Sequence, residues 1–191
     1  KTIIILYFIM ILIIADMLSI PITSLLATFS VVGLAASLAI QDALANLASG
    51  IMMLATHPFK VGDYIEGAGT SGTVRDINFA HVVLVTVDNK IIHIPNKQIL
   101  NSTITNYSEQ PLRRVDLTFN LAYSADANKI KEIMNKAIEQ HPKVLRDEPI
   151  FVRTTSYKES GIDYTLRVWV KSSDYWDVYL DLLENLKVDF D

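Results

Sequence analysis

The first 56 residues of this chain are almost free of charge, and this feature restricts what they can fold into. Their charged residues are Lys1, Asp16 and Asp42. The whole chain of 191 residues carries 17 basic and 21 acidic side chains, so the charge is concentrated after residue 56. A helix needs roughly 20 apolar residues to cross a bilayer. Residues 22–56 therefore predict a membrane-spanning helix, joined to a mildly acidic block at residues 57–191.

The apolar run that precedes this helix is shorter. Thr2 to Ala15 is uncharged but ends at Asp16, and fourteen residues fall short of the roughly 20 needed to span a bilayer. Residues 1–16 are therefore interpreted either as the end of a truncated membrane helix or as a buried core helix. The chain starts inside this run with no secretory signal, which indicates that the natural N-terminus lies further upstream.

The second helix is rich in alanine, serine and glycine, which let helix backbones approach closely. At 100° per residue, Leu34 and Leu38 fall on one stripe. Small residues flank this stripe on both sides: Gly33, Ala35, Ser37 and Ala39. Such a helix suits a ring of copies, in which the leucines form an apolar constriction that blocks ions by dewetting. The alternative is a buried helix of a single-chain bundle, with both leucines as ordinary core.

Two residues predict interruptions of this helix. Asp42 is a favourable N-cap residue, which predicts a break near Gln41–Asp42 and a second helix over residues 43–56. Alternatively, Asp42 contributes to a ring of carboxylates at a pore mouth that favours cations. Gly50 lowers helix stability by about 1 kcal/mol relative to alanine, and it is either a hinge or a site of close packing.

The remaining sequence reads as two soluble domains. Pro58 ends the helical block, and short β-branched runs separated by turns up to residue 108 predict a small β-barrel or meander. Asp88-Asn89 is placed as a two-residue hairpin turn. Residues 109–191 alternate as β-α-β-β-α, which is typical of a ferredoxin-like sandwich. Its first helix is predicted over Asp126–Gln140, and its last carries Val178, Leu182, Leu186 and Phe190 on one face.

Several kinds of chemistry are not indicated. The chain has no cysteine, its four histidines lack the spacing of metal ligands, and no glycine-rich loop precedes a helix to hold phosphate. We therefore expect no enzyme active site, no metal and no cofactor. The formal net charge of −4 gives no basic surface for nucleic acid.

From about Ser24 onward the sequence resembles the small-conductance mechanosensitive channel (MscS) family. The strongest similarity lies in GLAASLAIQDALANLASG (33–50), HPFKVGDYIE (57–66) and NKIIHIPNKQI (89–99). Each motif is weak alone, but together they follow one another in the family's order.

The resemblance implies a homo-oligomer, usually a heptamer, in the cell (inner) membrane. The pore helix is then residues 22–56, residues 57–108 form an Sm-like β-domain, and residues 109–191 form an α/β domain, both cytoplasmic. Leu34 and Leu38 match the gate, and Gly33, Ala35 and Ser37 match packing residues. Gly50 matches a glycine at which the helix bends. The expected function is release of ions and small solutes under membrane tension on hypo-osmotic shock.

This chain departs from the family where Asp42 and Asn89 replace common glycines. Asparagine tolerates a positive φ, so the hairpin turn is compatible with Asn89. Two other functions stay open: a membrane-tethered interaction module that uses its Sm-like domain, and a transporter subunit. An interaction module of this kind needs a basic and aromatic face to bind RNA. A transporter usually shows internal repeats in its sequence.

Overall fold

The structure, a computed structural model, describes residues 2–18 and 22–190, and in the described residues two helices open the chain. Helix α1 spans Thr2–Met17 and helix α2 spans Ile22–Thr56. Among the described helices, α2 is long and apolar enough to cross a membrane, with a mean hydropathy of 1.9 in its best window. The two helices meet at Phe8 and Phe29, whose ring centroids lie 6.0 Å apart.

Helix α2 runs without interruption through Gln41 and Asp42, so the predicted break near 41–42 is wrong. Neither residue is a glycine or a proline, and an aspartate caps a helix only when its own backbone leaves the helix. Here Asp42 stays helical, and its carboxylate has another partner, described below. At 1.5 Å per residue, the part from Ile22 to Gln41 spans about 30 Å, which matches the hydrocarbon thickness of a bilayer.

Five short strands follow α2 and form one antiparallel sheet. They are β1 (Tyr64–Gly67), β2 (Thr70–Ile77), β3 (His81–Val85), β4 (Ile91–Pro95) and β5 (Thr105–Asn106), in the sheet order β4-β3-β2-β1-β5. Asn89 in the β3–β4 hairpin has φ 64, which asparagine tolerates. The predicted two-residue turn at Asp88-Asn89 is wrong, because the Thr86 N–H donates to the Lys90 carbonyl and the Asn89 N–H to the Thr86 carbonyl, both at 2.9 Å, so the turn has three residues, 87–89. A short helix, α3 (Asn96–Leu100), follows β4 directly and was not predicted.

The C-terminal part has the predicted β-α-β-β-α order. Its elements are β6 (Leu112–Leu121), α4 (Ala127–Gln140), β7 (Phe151–Tyr157), β8 (Ile162–Lys171) and α5 (Tyr175–Phe190), and the sheet order is β6-β8-β7. Asp126 caps α4 by accepting from the backbone N–H of Asn128 at 2.8 Å. The core lies between the helices and the sheet, where Met134, Leu166 and Leu182 are fully buried. The predicted fold class is thus confirmed.

The chain divides into two compact units. One contains Lys1–Pro58 and Arg75–Thr103, and the other contains Phe59–Val74 and Ile104–Asp191. Strands β3 and β4 and helix α3 therefore belong to the same unit as α2. The boundary predicted at residue 57 rests on the composition of the sequence, whereas these units are defined by contacts between residues. The contacts that join β3, β4 and α3 to α2 lie in the C-terminal half of α2.

Candidate pore helix and its anchoring contacts

The residues predicted to form a gate lie in a part of α2 that is exposed on all sides, since every residue from 26 to 44 is exposed. The side chains of Leu34 and Leu38 are 62% and 61% exposed. The neighbouring small residues are also exposed: Gly33, Ala35, Ser37 and Ala39. A Cβ added at Gly33 would meet nothing within 4 Å. Soluble monomers rarely expose a continuous apolar surface of this size, so this part of α2 requires lipid or other protein.

The C-terminal half of α2 contacts helix α3, which belongs to the predicted β-domain. Asp42 is exposed, and its carboxylate oxygen accepts from Lys97 Nζ at 2.9 Å. One turn further along, Asn46 Oδ1 accepts the backbone N–H of Lys97 at 2.9 Å. This N–H belongs to the first turn of α3, where it has no partner inside the helix, and no side chain caps α3 from Pro95. Asn46 therefore supplies from α2 the acceptor that α3 lacks.

Asn96 completes this contact from the other side. It is fully buried, and its amide Nδ2 donates to the backbone carbonyl of Asn78 at 2.8 Å and to that of Asn46 at 3.4 Å. The Asn46 side chain also donates to the carbonyl of Asp42 at 3.0 Å. Three asparagines, one lysine and one aspartate thus join α2, α3 and the loop before β3. We call Asp42, Asn46, Asn78, Asn96 and Lys97 the foot contact.

Gly50 lies against the foot contact and is buried. A Cβ at this position would lie 2.6 Å from Asn96 Nδ2 and 2.8 Å from the carbonyl oxygen of Phe79. Since the helix is continuous at Gly50, the structure supports close packing as its role. The hinge interpretation concerns motion and stays a prediction.

The charged and the uncharged parts of the foot contact differ in strength. The Asp42 side chain is 84% exposed, and exposed ion pairs contribute about 0–1 kcal/mol. The Lys97 N–H is half-buried, and leaving such a donor without an acceptor costs about 1–3 kcal/mol. The asparagine bonds, rather than the ion pair, therefore hold α2 to the β-domain.

A pair of substitutions tests this ranking. We expect Asn46→Ala to lower the melting temperature of the purified protein by about 2–6 °C, because roughly 1–2 kcal/mol is lost in a chain of this size. Asp42→Asn is the matched control and should lower it by less than about 2 °C. A larger loss for Asp42→Asn than for Asn46→Ala would show that the ion pair dominates.

Sequence reasoning missed Asn46, Asn96 and Lys97. The available signal was Asn46, an asparagine one turn after Asp42 in a mostly apolar helix, because a polar side chain in such a position usually has a specific partner. Among the described residues, no group of histidine and acidic side chains is arranged to hold a metal ion. His81 and His93 lie side by side, with ring centroids 4.9 Å apart, but acidic ligands do not join them.

Comparison with known proteins gives consistent similarities. Residues 42–109 match the family described as mechanosensitive ion channel, beta-domain, and residues 115–191 match mechanosensitive ion channel MscS, C-terminal. A small-conductance mechanosensitive channel of Edwardsiella ictaluri is 36% identical over 81% of this chain. The match covers 54% of that protein, so the chain spans about half the length of this relative.

Solved structures show the same likeness. The crystal structure of Helicobacter pylori MscS in a closed state has a TM-score of 0.87 at 30% identity, covering 99% of this chain and 75% of that one. The cryo-EM structure of Arabidopsis thaliana MSL1 has a TM-score of 0.76 at 19% identity, covering 98% of this chain and 70% of that one. The second comparison establishes a shared fold.

Proposed function

The chain belongs to the MscS family of mechanosensitive ion channels, and we propose that it is a pore-forming subunit gated by membrane tension. As a member of that family it is a membrane protein, and its relatives are named as channels rather than as enzymes. The observation that carries the proposal is α2: an apolar helix, exposed on all sides over residues 26–44, on which Leu34 and Leu38 lie together.

In this proposal copies of the chain assemble into a ring, and seven copies follow the family pattern. Each α2 contacts its neighbours through two small-residue faces, Gly33 with Ser37 on one side and Ala35 with Ala39 on the other. Small residues allow the backbones to approach closely. The leucine stripe then points to the axis, where an apolar constriction excludes water and ions.

Tension favours the state that occupies more area in the membrane plane, so it acts like a ligand with different affinities for two states. In the closed state Leu34 and Leu38 lie near the axis. Opening slides the small-residue faces past each other and withdraws the leucines. Ions and small solutes then leave the cell, which relieves osmotic pressure after hypo-osmotic shock.

The proposed location is the cell (inner) membrane, with several membrane passes per subunit and residues 57–191 in the cytoplasm. The uncharged part of α2 supports the membrane span because Asp42, its first charged residue, follows about 30 Å of apolar helix, and the choice of membrane and of the cytoplasmic side follows the family pattern. Asp42 also pairs with Lys97 of the β-domain. Both side chains then lie at the water side of the membrane boundary.

Patch-clamp recording of the full-length protein in liposomes tests the proposal. Under stepped suction we expect step-like currents that begin above a threshold tension and close when suction is released. Liposomes without protein are the control. Silence up to membrane rupture, with oligomeric protein confirmed in the bilayer, would favour the membrane-tethered interaction module instead.

A further inference from the structure

A pocket of about 350 Å³ lies beside strand β1 and the first residues of α5. Its wall consists of four aromatic rings together with Glu66, Ser71 and Arg113. All of these residues belong to the same compact unit. Sites for small molecules typically have volumes of about 300–1,000 Å³ and combine apolar walls with a few polar groups. Neither the proposed pore nor the foot contact uses this pocket.

Arg113 is held in the wall by two aromatic rings. Its guanidinium carbon lies 3.7 Å from the centroid of the Tyr175 ring and 4.9 Å from that of Tyr107. Arginine has five N–H donors, but within the described residues no hydrogen bond or ion pair engages those of Arg113. The next residue differs, because Arg114 forms two bonds to Asp116, at 2.6 and 2.9 Å. Arg113 is therefore fixed in place with its donors still available.

An opposite charge lies on the other side of Tyr107. The Tyr107 hydroxyl donates to Glu66 Oε2 at 2.7 Å, and this bond raises the pKa of Tyr107, so the phenol remains a donor at neutral pH. A carboxylate has about four acceptor positions, so Glu66 retains capacity for a second partner. One tyrosine thus contacts a cation with its ring and an anion with its hydroxyl.

The remaining wall is aromatic and hydroxylic. Trp176 is 64% exposed although it is the largest apolar side chain, and its ring packs edge-on against Tyr175 at 5.3 Å. Tyr64 and Ser71 place their hydroxyl oxygens 3.2 Å apart. The faces of tryptophan and tyrosine attract ammonium groups, most strongly when these are methylated.

We propose that this pocket binds a small zwitterion, an amino acid or a methylated amino acid. The carboxylate of the ligand pairs with Arg113, in the bidentate geometry that guanidinium groups favour. Its ammonium group lies near Glu66 and against the aromatic rings. A simple anion would be repelled by Glu66 and a simple cation by Arg113, so the two wall charges together select a ligand that carries both signs.

Isothermal titration of the purified full-length protein in nanodiscs tests the proposal, with glycine betaine and proline as probes. We expect both to bind, and we expect acetate and tetramethylammonium, which each carry half of the charge pattern, to bind at least about tenfold more weakly. Arg113→Gln should weaken betaine binding by about tenfold or more. Arg114→Gln is the matched control and should leave the affinity unchanged, because its donors are already paired with Asp116.

Two further variants cover the case in which Arg113→Gln does not fold. Glu66→Gln keeps the size of the side chain but removes its charge, and Trp176→Ala removes an exposed ring; each should weaken betaine binding by about threefold or more. Absence of binding by both zwitterions to the folded wild type would overturn the proposal. Acetate bound as tightly as betaine, or an equal loss in Arg114→Gln, would also overturn it, since either result indicates an unspecific anion site.

Discussion

Replacing Leu38 by serine should give a channel that opens at clearly lower tension than the wild type. Burying a leucine side chain stabilises a packed arrangement by about 1.5–3 kcal/mol, and a ring of copies multiplies this loss by the number of subunits. A serine hydroxyl also keeps water in the constriction, which removes the dewetting that blocks ions. We expect the threshold to fall by about half or more, because the closed state loses stability that tension otherwise has to overcome.

Ala36→Ser provides the control for this measurement, because it adds the same hydroxyl to α2 away from the leucine stripe. Residue 36 lies two positions before Leu38, which places it about 200° around the helix from Leu38 and between the two small-residue faces, and Ala36 is also exposed. Patch recordings under stepped suction should show a nearly unchanged threshold for this variant. An unchanged threshold for Leu38→Ser, or equal shifts for both variants, would remove Leu38 from the gate.

The second large effect is expected at Gly50. Alanine would normally stabilise a helix by about 1 kcal/mol relative to glycine. At this position, however, its Cβ would lie 2.8 Å from the Phe79 carbonyl oxygen, a backbone atom that cannot rotate away. Overpacking of this kind typically costs about 1–3 kcal/mol. We therefore expect Gly50→Ala to push α2 away from the β-domain and to break the bond between Asn46 and the Lys97 N–H.

Hydrogen exchange at the Lys97 amide measures this directly. In the wild type this amide should be protected by Asn46 Oδ1, and in Gly50→Ala the protection should be lost. Gly33→Ala is the matched control within α2, since a Cβ there meets nothing within 4 Å in the subunit. If Gly50 serves only as a hinge, Gly50→Ala should instead leave the Lys97 amide protected.

Periodicity and local signals predicted the C-terminal domain well. The stripe of Val178, Leu182 and Leu186 forms the buried face of α5, and all three are fully buried. The helix predicted over Asp126–Gln140 is observed as α4 over Ala127–Gln140, with Asp126 as its N-cap. In each case the deciding interactions lie within a few residues, which is the range over which sequence patterns carry information.

Predictions failed where a distant contact decides the outcome. Asp42 has the local character of an N-cap, but the helix continues through it because the Asn46 contacts hold the following turns of α2 against α3, and its exposed carboxylate pairs with Lys97, 55 positions away. Helix α3 depends in the same way on Asn46 from α2. The proposed leucine gate differs from both, because the contacts that would form it are made with other copies of the chain. It stays a prediction until the assembly is measured.

If the proposed gate opens by a tilt of α2, the close packing of Gly50 beside the foot contact would place the pivot of that tilt near Gly50. Leu38 lies twelve residues before Gly50 in the chain, a distance of about 18 Å along the helix. If α2 tilts by about ten degrees around this pivot, Leu38 moves sideways by roughly 3 Å, whereas Asn46 moves by only about 1 Å. A constriction can thus widen by several ångströms across its diameter while the bonds at the base of the helix only stretch or re-form.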